Sequence, residues 1–275
     1  MALKYIRIII ATALSFSIAS TYAQQQQDPS TMNGGSMMAM AGDNCVAIAV
    51  DKRFGSGPQM INVLPRTVLI PHSSVMIGLV GLEGDVQSLS KELSVQISAK
   101  MGRHLGFGNG DINGRQINPK SASTLLSHLL YRRRNGPYYI EPIIAGLEEI
   151  ILDESGEDGQ NRIGISNVEL ERKIENASID HISTIYKPFL CAQDLIGAQS
   201  KSTSFVCSGA ASKSLYGTAE AMWRPNLQPE ELVQVLGKAF LSALERNCLS
   251  GYGAVLYLMV AGQGIEEIHL ASRND

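Results

Sequence analysis

The residues of this chain that could do chemistry gather around Asp51, the last residue of the apolar run CVAIAVD (45–51). Hydroxyls that could attack a carbonyl stand at Thr31 and Ser36 before it, and cations that could tune one stand at Lys52 and Arg66 after it. A hydroxyl is a weak nucleophile until a neighbouring base takes its proton. A Ser-His-Asp triad could supply that base, but no GxSxG elbow or comparable context supports one, and the five histidines are scattered. The cysteines, Cys45, Cys191, Cys207 and Cys248, show no CxxC spacing and no nearby histidine pair, so no metal site is expected. Three of them sit in apolar strand contexts and are expected to be small buried hydrophobes outside any disulfide framework. The loop GFGNGDING (106–114) lacks the GK[ST] of a phosphate loop and the terminal Glu of a calcium loop, and reads as a flexible insertion. No cofactor is implied.

The element that must position Asp51 is the segment GGSMMAMAGDNCVAIAVDKRFG (34–55). Apolar residues alternate at Met38 and Met40, then at Val46, Ile48 and Val50, on either side of the turn residues Gly42-Asp43-Asn44, which predicts a strand, a turn and a strand. The segment resembles the first hairpin of proteasome beta subunits, N-terminal-nucleophile hydrolases whose threonine opens the first strand and acts through its own freed amine. Further blocks follow in the same order: VMIGLVGLEGDVQ (75–87), GRQINPKSASTLLSHLLY (114–131), GPYYIEPIIAGL (136–147), KPFLCAQDLIGA (187–198) and LSGYGAV (249–255).

The resemblance implies a threonine sixteen positions before Asp51 and a lysine sixteen positions after it. This chain has Gly35 and Thr67 there. Glycine has no side chain to attack with, and Thr67 supplies no ammonium to tune a neighbouring amine. Ser208 and Ser250 match serines that help position the terminal amine, Asn247 replaces an aspartate, and Gly81 matches the glycine whose N–H lines the oxyanion hole. Ser36 is the tempting substitute nucleophile, but one step along a strand changes faces, so Ser36 is expected to point away from Asp51. Thr31 lies four residues too early, and Lys52 and Arg66 are each one residue off, which suits solvated or interface charges. No catalytic residue is therefore expected.

At 275 residues, 44% hydrophobic and 18% charged, the chain has enough apolar material for one large core. A net charge of −3 and a pI near 6.0 leave no electrostatic footprint for nucleic acid. The basic cluster Arg132-Arg133-Arg134 is expected at a helix end, where cations suit the dipole. Helices are predicted from Val86, Leu89, Leu93 and Ile97 on one face, and from Asn118 as cap with Pro119 at the first position and Ala122, Leu125, Leu126, Leu129 and Leu130 inward. Two more are predicted over 211–222 and 229–246. Strands are predicted over 75–79, 138–146, 189–196, 252–260 and 265–271.

That order implies an α+β fold, a four-layer αββα sandwich of two antiparallel sheets between helical layers. Residues 1–31 are expected to be a leader or a disordered extension, since Lys4, Arg7, the apolar run Ile8 to Ala19 and Thr21-Tyr22-Ala23 have the layout of a signal peptide. Residues 32–275 form the beta-type domain, with a polar surface insertion at 152–184 that includes DESGEDGQN (153–161), VELERKIENA and a glycosylation sequon at Asn176.

The resemblance implies a non-catalytic structural beta subunit of the 20S proteasome core, contributing to ring assembly and the proteolytic chamber in protein degradation. Its implied partners are other alpha and beta subunits, with no nucleic acid and no membrane, in cytoplasm and nucleus. The competing readings are an N-terminal-serine peptidase using Ser36 and a secreted binding protein that reuses the fold.

Overall fold

A computed structural model describes residue 29 and residues 32–64, 67–102, 117–151 and 184–271. Arg66, the glycine-rich loop, the leader apart from Pro29 and the insertion apart from Thr184 lie outside the described residues.

Strands β1 (Ser36–Ala41) and β2 (Cys45–Asp51) form the expected hairpin, turning at Gly42–Asn44, where Asn44 takes φ 53. Asparagine tolerates that left-handed conformation better than most residues. All residues of both strands are buried, so both faces are covered. Alternation then divides them. Met37, Ala39, Val46, Ile48 and Val50 face a second sheet, while Met38, Met40, Cys45, Ala47 and Ala49 face helices.

The first sheet has the order β10 (Phe205–Gly209), β1, β2, β11 (Ala254–Val260), β12 (Gly264–Leu270). The second has the order β5 (Val68–His72), β6 (Val75–Gly81), β7 (Ile140–Ile151), β8 (Thr184–Gln193), β9 (Gln199–Ser202). Every pairing is antiparallel. A two-stranded hairpin, β3 (Arg53–Ser56) and β4 (Gln59–Val63), hangs from the end of β2.

Helices α1 (Glu83–Gly102) and α2 (Pro119–Arg132) cover the second sheet through Leu89, Leu93, Leu126 and Leu130. Helices α3 (Ser212–Met222) and α4 (Pro229–Leu244) cover the first through Leu215, Leu232, Leu236 and Phe240. Each such buried side chain contributes about 1.5–3 kcal/mol. The layers therefore run α, β, β, α, as the sequence implied.

Helix starts follow the sequence signals. Asn118 Oδ1 accepts from Lys120 N at 2.7 Å and Ser121 N at 3.4 Å, with Pro119 at the first position. Arg132 closes α2 and pairs with Glu92 of α1, and Arg133 lies 4.6 Å over the Tyr138 ring.

Several boundaries differ from the sequence reading. β8 runs from Thr184 to Gln193 where 189–196 was predicted, because Asp194 Oδ1 accepts from Ile196 N and Ala198 N and turns the chain away. β7 continues to Ile151, five residues past Gly146, because its far end pairs with the early part of β8. The last hairpin starts at Ala254, since Tyr252 takes φ 60 and cannot lie in a strand.

Candidate functional site

Gly35, Ser36, Asp51, Gly81, Ser208 and Ser250 come from five separate stretches of chain and meet at one end of the sandwich. The β1–β2 ladder, the β2–β11 ladder and the end of β6 place them there. The sequence predicted this meeting through the family pattern, and the geometry shows what each residue does.

The register corrects one expectation. Met37 faces Val50 and Met38 faces Ala49, so the same ladder extended by one residue sets Ser36 opposite Asp51. Residues directly opposite each other across an antiparallel pair share a face, so Ser36 and Asp51 share a face and do not point apart. Placing Gly35 on the side of Asp51 overlooked the turn: Gly42 N donates to Cys45 O at 2.9 Å, which leaves only Asp43 and Asn44 inside it, so facing residue numbers have an odd sum, as Ala41 and Val46 do.

Sharing that face does not free the Ser36 hydroxyl for chemistry. Its side chain is fully buried, its Oγ lies 2.7 Å from Ser250 Oγ, and it accepts a hydrogen bond from Ala211 N at 2.8 Å. It thus ties β1 to the start of α3 and to the loop before β11. Asp51 is also fully buried, and its Oδ2 accepts from Gly251 N at 3.2 Å. Asp51 therefore shapes the 250–253 loop, in which Gly251, Tyr252 and Gly253 all have positive φ. A non-glycine residue held there is strained and is kept in place by its surroundings.

The backbone of Gly35 is pinned on both sides. Its N–H donates to Leu249 O at 2.9 Å, and its carbonyl accepts from Ala210 N at 2.9 Å. Upstream, Gly57 N donates to Met32 O at 2.8 Å and Gly55 N to Asn33 O at 3.2 Å, while the Asn33 carboxamide donates to Gly55 O and accepts from Glu83 N at 3.0 Å. The strap 32–35 is thus stitched to the β3–β4 hairpin, the start of α1 and the 247–250 turn.

The other family positions have structural partners too. Ser208 Oγ donates toward Glu141, whose carbonyl lies at 2.8 Å and whose Oε2 lies at 3.1 Å, and Gly209 N donates to the same carboxylate at 3.0 Å. Glu141 belongs to the second sheet and Ser208 to the first, so this carboxylate bridges the sheets at the mouth of the site. Asn247 Oδ1 accepts from Leu249 N at 2.9 Å and fixes the turn that presents Leu249 O to Gly35. Thr67 offers its carbonyl to Leu79 N at 2.9 Å. Lys52 Nζ lies 3.2 Å from His269 Nδ1 in an exposed pair. Gly81 takes φ 140, and a Cβ there would lie 2.1 Å from Tyr139 O, so only glycine fits.

The residue that sequence reasoning missed is Arg53. It is 2% exposed, and its guanidinium donates to Gly57 O at 2.8 Å and toward Leu249 O at 3.4 Å. A Cβ on Gly55 would lie 2.5 Å from its Nη1, and one on Gly34 would lie 2.7 Å from it. The signal was the pair Arg53 and Gly55, two residues apart on one strand face, where the missing side chain makes room for the long one.

Among the described residues, no group of three or more His, Cys, Asp or Glu side chains could hold a metal ion. Cys45, Cys191 and Cys207 are buried free thiols and Cys248 is exposed. Burial pushes the Cys207 thiol up to about 12. Burial, reinforced by Asp43 and Glu230, pushes Cys45 up to about 11. Neither is a thiolate at neutral pH. A cleft of about 500 Å³ lined by Ser74, Asn118, Glu148, Tyr186 and the 260–264 turn lies at the opposite end of the sandwich from Gly35, and no histidine or cysteine lines it.

Comparison with known proteins gives a consistent result. The family described as proteasome subunit matches residues 31–151 and 178–259. The chain is 35% identical over 234 residues to proteasome subunit beta type-3 of Picea mariana, a match covering 85% of this chain and 93% of that protein. It is 35% identical over 243 residues to the beta type-3 subunit of Oryza sativa subsp. japonica, covering 88% and 97%. With the beta type-3 subunit of Saccharomyces cerevisiae it shares 32% identity over 249 residues, covering 90% and 99%.

Proposed function

The chain belongs to the proteasome subunit family, and on that premise we propose that it is a non-catalytic beta-type subunit of the 20S core particle. It takes one position in a ring of non-identical subunits and helps wall the chamber in which its neighbours cut polypeptides. The observation that carries this reading is Gly35. The position where an N-terminal nucleophile would begin has no side chain, and its backbone N–H and carbonyl are taken up by Leu249 O and Ala210 N. Thr67 adds no ammonium, Ser208 is occupied by Glu141, and Ser36 and Ser250 are spent on each other.

A ring of unlike subunits needs surfaces that each accept one neighbour, so specificity falls to loops and helix faces. Four thiols with no disulfide are in keeping with the reducing cytoplasm and nucleus, the compartments we assign to it.

The test is purification of the native protein with identification of what accompanies it and intact-mass analysis of the chain. The expected outcome is a large particle with other proteasome subunits, in which this chain begins at neither Gly35 nor Ser36. A small free protein, or a chain starting at Ser36 whose peptidase activity disappears in Ser36→Ala, defeats the reading.

A further inference from the structure

Ten large apolar side chains stand well exposed among the described residues. Four of them, Met60, Ile61, Val63 and Leu64, lie on β4 or directly after it, and a fifth, Met32, is joined to the same hairpin by the bond from Gly57 N to its carbonyl. Strand β4 buries none of its residues, and Ile61 at 60% is the most exposed of the group. A two-stranded hairpin is marginal in water without a face to pack on. Residues 59–64 carry no charge, and the hairpin's arginine, Arg53, is turned inward.

Five side chains of this size, each about half exposed, present several hundred Å² of apolar surface. That reaches the roughly 300–600 Å² of the largest patch on a typical monomer and supplies a large part of the ~800 Å² that a stable interface takes from each partner.

We propose that the exposed side of the β3–β4 hairpin, with Met32, is the docking surface for the adjacent beta-type subunit, which meets it with an uncharged apolar face. This rests on the ring reading above. The hairpin grows directly from Asp51 and is stitched to the strap 32–35, so the contact adjoins the end of the sandwich that would face the chamber. Ile61 lies where the β3–β4 register shifts, which swings it outward as the central contact.

Hydrogen exchange on the full chain, free and within the purified particle, tests this together with competitive incorporation of tagged variants. Amides of 59–64 are expected to exchange at least about tenfold more slowly in the particle, and Ile61→Glu to enter it roughly tenfold less than wild type, while Ile61→Met enters normally. The melting temperature of free Ile61→Glu is expected to match wild type, since Ile61 is 60% exposed and belongs to no apolar cluster among the described residues. Equal exchange in the two states, or normal incorporation of Ile61→Glu, overturns the proposal. So does a hairpin already protected in the free chain, whether by a second copy seen on sizing or by residues 1–28 and lost on their removal. A wild-type chain that enters no proteasome particle defeats the ring reading itself, whereas an incorporated chain with an unprotected hairpin defeats the docking surface alone.

Discussion

The side-chain oxygens of Ser36 and Ser250 lie 2.7 Å apart although 214 residues separate them in sequence. With Ala211 N donating to Ser36 as well, one buried hydroxyl joins β1, the start of α3 and the loop before β11. Ser36→Ala leaves a buried N–H and a buried hydroxyl short of a partner, and is expected to cost about 1–3 kcal/mol of stability. Denaturant unfolding of the purified chain measures the loss. The peptidase activities of the assembled particle are expected to be unchanged per particle, and a selective loss of one activity would return Ser36 to the role of nucleophile.

Gly81 gives a sharper test of backbone geometry. A Cβ at this φ of 140 meets Tyr139 O at 2.1 Å, so Gly81→Ala combines strain with a clash that backbone cannot easily relieve. A loss of more than about 3 kcal/mol is expected, read as a lower unfolding midpoint at unchanged slope.

Glu141 is the polar link between the sheets at the site mouth. Glu141→Ala removes the acceptor for Gly209 N and the carboxylate beside Ser208 Oγ, and is expected to cost about 1–3 kcal/mol. Faster exchange of the Gly209 amide with the β7–β8 amides unchanged would show that the loss is local.

Thiol chemistry separates the four cysteines. An alkylating reagent at neutral pH is expected to modify Cys248 alone in the native chain, and Cys45, Cys191 and Cys207 only after unfolding. Unfolded thiols ionise near 9.0, while Cys45 and Cys207 hold their protons up to about 11 and 12. The folded state keeps protons that the unfolded state releases, so this contribution to stability is complete below pH 9 and fades as pH rises through the folded values. Unfolding midpoints between pH 8 and 11 are expected to fall, and by less in Cys207→Ala relative to its own value at pH 8.

Where side chains carry a local signal, the sequence was legible. Asn118 and Pro119 announced α2, the stripe Leu232, Leu236 and Phe240 announced α4, and the alternation around Asp51 announced the first hairpin. Elements held only by their neighbours were silent. β9 is the polar run Gln199–Ser202, β4 exposes every residue, and β5 is interrupted by Pro71, so none shows the alternation of a half-buried strand. At the site, the empty positions Gly35 and Thr67 were countable from Asp51. The direction of Ser36 depended on the turn's register, and the burial of Arg53 depended on Gly55 and Leu249, neither of which a count along the chain can supply.

The Asn33 side chain gives the strap a second job. Its carboxamide caps the first N–H of α1 through Glu83 and also grips Gly55, so the residues that maturation of a hydrolytic relative would discard are used here as a strut. Trimming the chain back to Gly35 would uncap one helix and slacken the hairpin in the same cut. Maturation and rigidity are therefore opposed in this subunit, and a protease that clipped the strap would be expected to yield a looser subunit with no new reactive end.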